Sequence, residues 1–98
     1  MARRIVWTSQ AESGFERILR FYLVRNGNKS YSRKLSQEVK GVLDLIRKYP
    51  LLGSRTDTPN VRVVTISRLK LFYKVQVKII LVVFVLDNQE DPDKSKTL

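Results

Sequence analysis

The chain of 98 residues contains no cysteine and no histidine. Without cysteine there are no disulfides and no thiolate metal sites. Without histidine there is no imidazole to serve as acid, base or metal ligand. Both absences fit a cytoplasmic protein, and no metal or other cofactor is expected. Long apolar runs are lacking as well. The longest, Ile79–Leu86, is eight residues, well short of the ~20 a helix needs to cross a bilayer. Near the start, Arg3 and Arg4 are followed by only Ile5, Val6 and Trp7 before polar Thr8, too short an apolar stretch for a secretory leader. No membrane partner is expected. A glycine-rich phosphate loop, a nucleophile elbow and a zinc pattern are all missing. Nor is there a helix-turn-helix, because the cations are not focused on one recognition helix.

Acidic residues are scarce: 9 Asp and Glu stand against 19 Lys and Arg, a net charge of +10. The distribution is uneven. Residues 1–86 hold 17 cations and 5 anions, a net of +12, whereas residues 87–98 hold 2 cations and 4 anions, a net of −2. A basic body with a mildly acidic tail points to a polyanion or an acidic protein as partner. The hydrophobic fraction of 43% supports one packed core, and this length leaves no room for a second.

Arg3–Thr8 reads as a short edge or second strand. Thr8 or Ser9 caps the helix that follows, with Glu12 placed to close a capping box from Ser9. That helix runs to about Arg25 and buries Phe15, Ile18, Leu19 and Tyr22. Asn26-Gly27-Asn28 stops it. A second helix runs from about Ser30 to Tyr49 with Tyr31, Leu35, Val39, Val42 and Ile46 along one stripe. Its cations, Arg33, Lys34, Lys40, Arg47 and Lys48, lie mostly off the stripe, as a solvated face or as a binding surface. Pro50 ends it. After a loop over 51–60, Val61–Ile66 alternates with Arg62 on the face of Val64 and Ile66. Ser67-Arg68 turns the chain. In Leu69–Gln76, Leu69, Leu71, Tyr73 and Val75 face one way and Lys70, Phe72, Lys74 and Gln76 the other. Ile79–Leu86 does not alternate and reads as a central strand covered on both faces. Residues 87–98 read as a polar, partly flexible tail. The order β-α-α-β-β-β predicts a single α+β domain. A helical hairpin covers one face of a mostly antiparallel four-stranded sheet, and the other face stays basic and partly open.

Three constellations could carry chemistry. Arg62, Arg68, Lys70 and Lys74 could bind phosphates or stabilise charge at a scissile one. Lys70 and Lys74 lie ~13 Å apart on one face. The same charges would also guard an edge strand against aggregation. Tyr73 could donate a proton or stack on a base, but it shares the parity of Leu69, Leu71 and Val75, the place of a core residue whose hydroxyl reaches a partner. Asp87, Glu90, Asp91 and Asp93 match no calcium loop and read as a solvated tail.

From Val6-Trp7-Thr8-Ser9-Gln10-Ala11, through the helix end Tyr49-Pro50-Leu51-Leu52-Gly53, the strand arginine Arg62 and the strand Leu71-Phe72-Tyr73-Lys74-Val75, to Asp91-Pro92, the chain resembles the RelE/ParE superfamily of bacterial toxins. The resemblance implies the toxin half of a type II toxin–antitoxin pair, with an acidic antitoxin that wraps it as helix or strand. Two activities are open. RelE-like members cleave mRNA on the ribosome, and on that reading Arg62, Lys70 and Tyr73 would be catalytic, with Arg68 and Lys74 as further phosphate-binding cations. Gln89, however, falls where a late arginine is expected, and neither Tyr nor His follows Tyr73. Each lost group would cost ~10²-fold or more in rate. ParE-like members bind and inhibit DNA gyrase and need no such set. The two full-length helices and the Pro50–Gly53 segment favour this ParE-like reading. A remnant that only binds its antitoxin is the third reading. On the binding readings Arg62, Arg68, Lys70, Lys74 and Gln89 form the contact set.

Overall fold

A computed structural model describes residues 3–87. Along the chain run β1 (Arg4–Trp7), α1 (Ser9–Asn26), α2 (Ser30–Lys48), β2 (Ser54–Arg55), β3 (Val61–Ile66), β4 (Leu69–Val75) and β5 (Ile79–Asp87). The sheet has five strands in the order β1-β5-β4-β3-β2. It is mixed: β1 pairs parallel with β5, and the other pairs are antiparallel. The predicted four-stranded sheet missed the two-residue β2, too short to leave a periodic signal.

Thr8 caps α1, its hydroxyl accepting from the Ala11 amide at 3.0 Å. Because Ala11 then occupies the third helical position, Glu12 is one residue too late, and the capping box from Ser9 does not form. Gly27 ends α1 at φ 72°, donating to the Leu23 carbonyl at 3.0 Å. Only glycine takes that left-handed turn without strain. The Asn28 side chain accepts from the Ser30 amide at 2.9 Å and starts α2. The two helices are tied by Ser32 Oγ, which donates to the Leu19 carbonyl at 2.8 Å.

Both helices pack on one face of the sheet. Ile18 and Tyr22 of α1 and Leu35, Val39, Leu43 and Ile46 of α2 are buried against Ile66, Leu69, Leu71, Tyr73, Ile80, Val82 and Val85. Trp7 stacks on Phe15 with ring centroids 5.4 Å apart. The predicted helical stripes thus hold, with Leu43 joining the core and Val42 at its margin.

β5 departs from its reading. It is an interior strand, and it does alternate. The register steps from Phe72↔Phe84 to Tyr73↔Val82, so Val83 is an extra residue, a β-bulge. The bulge inverts the parity midway: Ile80, Val82, Val85 and Asp87 are all buried on the helix side. The other side is not covered, and Phe84 there is 39% exposed. Apolar residues on both parities hid the alternation in the sequence.

The segment between α2 and β3 is fastened to the sheet by Tyr73. Its side chain is fully buried. The hydroxyl donates to the Pro50 carbonyl at 2.8 Å and accepts from the Gly53 amide at 2.9 Å. Arg62 Nη1 donates to the Gly53 carbonyl at 2.7 Å and reaches the Leu51 carbonyl at 3.4 Å. A Cβ on Gly53 would stand 2.8 Å from the Tyr73 hydroxyl oxygen and 2.8 Å from the Val63 carbonyl oxygen. The proline-to-glycine spacing at the helix end is therefore a packing requirement.

Gly53→Ala is expected to cost about 1–3 kcal/mol through forced overlap. Tyr73→Phe should cost about 1–3 kcal/mol by stranding a buried amide and a carbonyl. Because the two changes break one contact, the double variant should lose less than the sum. Urea unfolding of the three variants measures this, and wild-type midpoints for both single variants would refute the fastening.

Candidate functional site

The face of the sheet turned away from the helices is the open surface of the molecule. Register places Arg4 beside Ile79, Val6 beside Leu81, Phe72 beside Phe84, Lys70 beside Leu86 and Lys74 beside Leu81. On β3, Thr65 lies opposite Lys70, Val63 opposite Phe72 and Val61 opposite Lys74. Phe72 and Phe84 form an aromatic pair with centroids 5.9 Å apart, tilted by 46°. Lys70 and Lys74 stand on the same face, two residues to either side of Phe72. Among the described residues no helix lies over this face. Its described residues put apolar and aromatic side chains in the middle and cations around them, with no carboxylate, histidine or tyrosine. Such a surface can bind a partner by burying its aromatic pair and pairing its lysines. Of the usual proton-transfer groups its described residues offer lysine alone.

The four cations proposed from the sequence do not form one site. Lys70 and Lys74 share the open face. Arg62 is half-buried on the opposite, helix-side face, where it lies in register with Tyr73 and serves the loop carbonyls. That parity was legible in its placement with Val64 and Ile66. Arg68 sits in the two-residue turn between β3 and β4, where Ser67 takes a positive φ of 57°. Tyr73 is sealed in the core, with both its donor and its acceptor engaged by the chain. Burial pushes its hydroxyl above the usual tyrosine pKa, while the Gly53 amide and the Arg62 charge pull it back. Gln89 lies outside the described residues, as do Glu90, Asp91 and Asp93.

Asp87, read as the first residue of a polar tail, is instead the last residue of β5 and only 1% exposed. The bulge at Val83 turns it inward. It lies against the Tyr22 hydroxyl, which also meets Arg68. Tyr22 is pushed up to about 12, first by burial and then by the Asp87 carboxylate, with Arg68 acting in the opposite direction. Tyr31 lies across from Tyr22 with centroids 4.7 Å apart. Arg68, itself exposed, thus meets the buried Tyr22–Asp87 pair at one end of the sheet, away from the loop that Arg62 holds at the other.

The comparisons with known proteins follow this geometry. A family model described as ParE toxin of type II toxin-antitoxin system, parDE, matches residues 5–92. A chain of the chromosomal ParDE system from P. aeruginosa superposes with a TM-score of 0.73 at 19% identity, over 88% of this chain and 96% of that one. A chain of the E. coli DinJ-YafQ toxin-antitoxin complex superposes with a TM-score of 0.58 at 11% identity, over 93% of this chain and 98% of that one. At those identities the two structures establish a shared fold. No curated protein sequence matches the chain.

The raised pKa of Tyr22 makes stability depend on alkaline pH. Unfolded tyrosine loses its proton near 10, whereas folded Tyr22 holds it to about 12. The unfolded state therefore binds fewer protons in that window, and stability falls as pH rises from about 10 to about 12. Melting temperature against pH should show this decline, and Tyr22→Phe should flatten it. An equally steep decline in the variant would remove Tyr22 as its cause.

Proposed function

The chain belongs to the ParE toxin family of type II toxin–antitoxin systems, and from that premise we propose that it arrests bacterial growth by binding a DNA topoisomerase, gyrase by family resemblance, and is neutralised by a cognate acidic antitoxin. The observation that carries this reading is the open sheet face. Its aromatic pair and flanking lysines suit protein binding, and among the described residues no carboxylate, histidine or tyrosine stands with them. Tyr73, the tyrosine a ribonuclease reading needs, is buried and hydrogen-bonded on both sides. Arg62 is committed to the loop. The antitoxin partner is supported by the two solved structures, both from toxin–antitoxin systems, and by the +12 charge of residues 1–86.

Expression in bacteria should stop growth and induce a DNA-damage response while translation continues. Lys70→Gln combined with Phe84→Asn should abolish the arrest while shifting stability by no more than about 1 kcal/mol, because both side chains lie on the uncovered face. Rapid mRNA cleavage on ribosomes would replace this reading with the RelE-like ribonuclease. Absence of any arrest would leave a protein that only binds its antitoxin.

A further inference from the structure

The end of the sheet away from the Ser67-Arg68 turn gathers side chains that no part of the toxin reading uses. Several segments meet there. The Lys78 carbonyl in the β4–β5 turn accepts from the Arg4 amide at 3.1 Å. Arg3 Nε donates to the Gln76 carbonyl at 2.6 Å. Arg47 Nε, on the last turn of α2, donates to the Arg3 carbonyl at 2.8 Å. Leu51, just beyond α2, shares a cavity wall with Arg55 and Val75. The start of β1, the end of α2, the loop after it and the β4–β5 turn thus lie together.

Two tight turns carry apolar side chains outward from this end. In Tyr49-Pro50-Leu51-Leu52 the Leu52 amide donates to the Tyr49 carbonyl at 3.0 Å, and the Tyr73 hydroxyl holds the Pro50 carbonyl. Tyr49 is 62% exposed and Leu51 67%. In the other turn the Gln76 amide donates to the Ile79 carbonyl at 2.9 Å, which leaves Val77 and Lys78 at the tip. Val77 is 87% exposed, at the kind of position where Gly, Asn, Asp and Ser prevail. Hydrogen bonds close both turns, so these apolar side chains are held out in water. Arg4, Lys48, Arg55 and Lys78 stand exposed around them. In residues 45–86 the only acid is Asp57, against eight cations.

We propose that this end of the molecule docks on an anionic phospholipid surface, with Tyr49, Leu51 and Val77 entering the headgroup region and the surrounding cations lying against lipid phosphates. The side chains favour a bilayer over other polyanions. Leucine and valine tips gain only where an apolar medium receives them, and a nucleic-acid backbone offers none. A protein would have to present a separate hollow to each of two protruding turns, whereas a fluid bilayer closes around either. Lysine and arginine stems lie along apolar surface while their heads reach phosphate, and tyrosine suits the boundary between the two. Among the described residues no helix is long and apolar enough to cross a membrane. Docking needs no crossing, only apolar side chains ringed by positive charge, so the shortness of the apolar runs in the sequence bears on crossing alone. The Phe72–Phe84 pair lies outside this end, and the inference stands whether or not that face binds a topoisomerase.

The test sediments the full chain with vesicles of equal parts phosphatidylglycerol and phosphatidylcholine, and with phosphatidylcholine alone, at fixed ionic strength. Wild type should partition onto the anionic vesicles and not onto the neutral ones. Leu51→Ser combined with Val77→Ser should weaken partitioning about tenfold. Leu23→Ser combined with Val24→Ser removes the same two side-chain types from the exposed end of α1, at the other end of the molecule, and should change it by no more than about twofold. Arg55→Gln combined with Lys78→Gln should cost about fivefold per charge. Failure of wild type to sediment with anionic vesicles would overturn the proposal. So would equal weakening by the two leucine–valine pairs, which would reduce the effect to general stickiness. Undiminished binding by Leu51→Ser with Val77→Ser would leave charge alone and overturn the docking of the turns. Displacement by soluble glycerol phosphate would identify a headgroup pocket in place of a bilayer surface. Tighter binding to a DNA duplex, weakened by the charge pair and not by the apolar pair, would assign this end to nucleic acid. All the substituted side chains are exposed, so an intact melting temperature in each variant keeps these outcomes readable. Growth arrest is scored separately, and its absence would count against the toxin reading without touching the vesicle result.

Discussion

The buried hydroxyl of Tyr73 is the constraint on which the rest of the architecture depends. It uses its proton on Pro50 and a lone pair on Gly53, and so fixes where the chain leaves α2 and where it enters β2. The same short segment receives Arg62 at the Gly53 and Leu51 carbonyls. The end of α2 is thereby held against two strands that already pair with each other, the start of β3 and the middle of β4. A loop returning from a helix to the edge of a sheet carries backbone polar groups that must find partners when buried, and Tyr73 and Arg62 are those partners. The arginine that a strand-cation argument assigns to ligand binding is thus drawn into structure by the carbonyls it satisfies.

Much of the fold was legible because its periodic segments are long. Two helices of 18 and 19 residues write their stripes many times over, and the three long strands alternate or run apolar between obvious turns. The misses have local causes. β2 is two residues and has no pattern to read. The parallel pairing of β1 with β5 is a property of topology that no local window contains. Val83 adds one residue to β5, and a single bulge exchanges inside for outside beyond it. That exchange carried Asp87 from an expected solvated tail into the core, against Tyr22.

The candidate site was legible in composition but not in assembly. The sequence marks Arg62, Arg68, Lys70 and Lys74 as a cationic group, and strand parity already separates Arg62 from the two lysines. What parity leaves open is how each charge is spent. Lys70 and Lys74 stay in water beside an aromatic pair. Arg68 lies against a buried tyrosine in contact with Asp87. Arg62 is consumed by the loop. Arg55, which no motif singled out, stands beside Arg62 only because a two-residue strand pairs there.

This distribution of roles follows from the charge of the chain. With 17 cations and 5 anions in residues 1–86, most cations have no acidic side chain to meet, so each must be solvated, turned to a backbone carbonyl or left for a partner. Solvation serves those on the outer faces of the helices, and carbonyls serve Arg62. Lys70 and Lys74 can remain solvated, but the apolar surface between them cannot, and it gains when a partner covers it. Arg55 pairs in register with Arg62 across β2 and β3, and solvent screens the repulsion between the two charges. The surplus of positive charge is therefore met in different ways along the chain: by water, by backbone carbonyls as at Arg62, and beside an apolar surface that gains when it is covered.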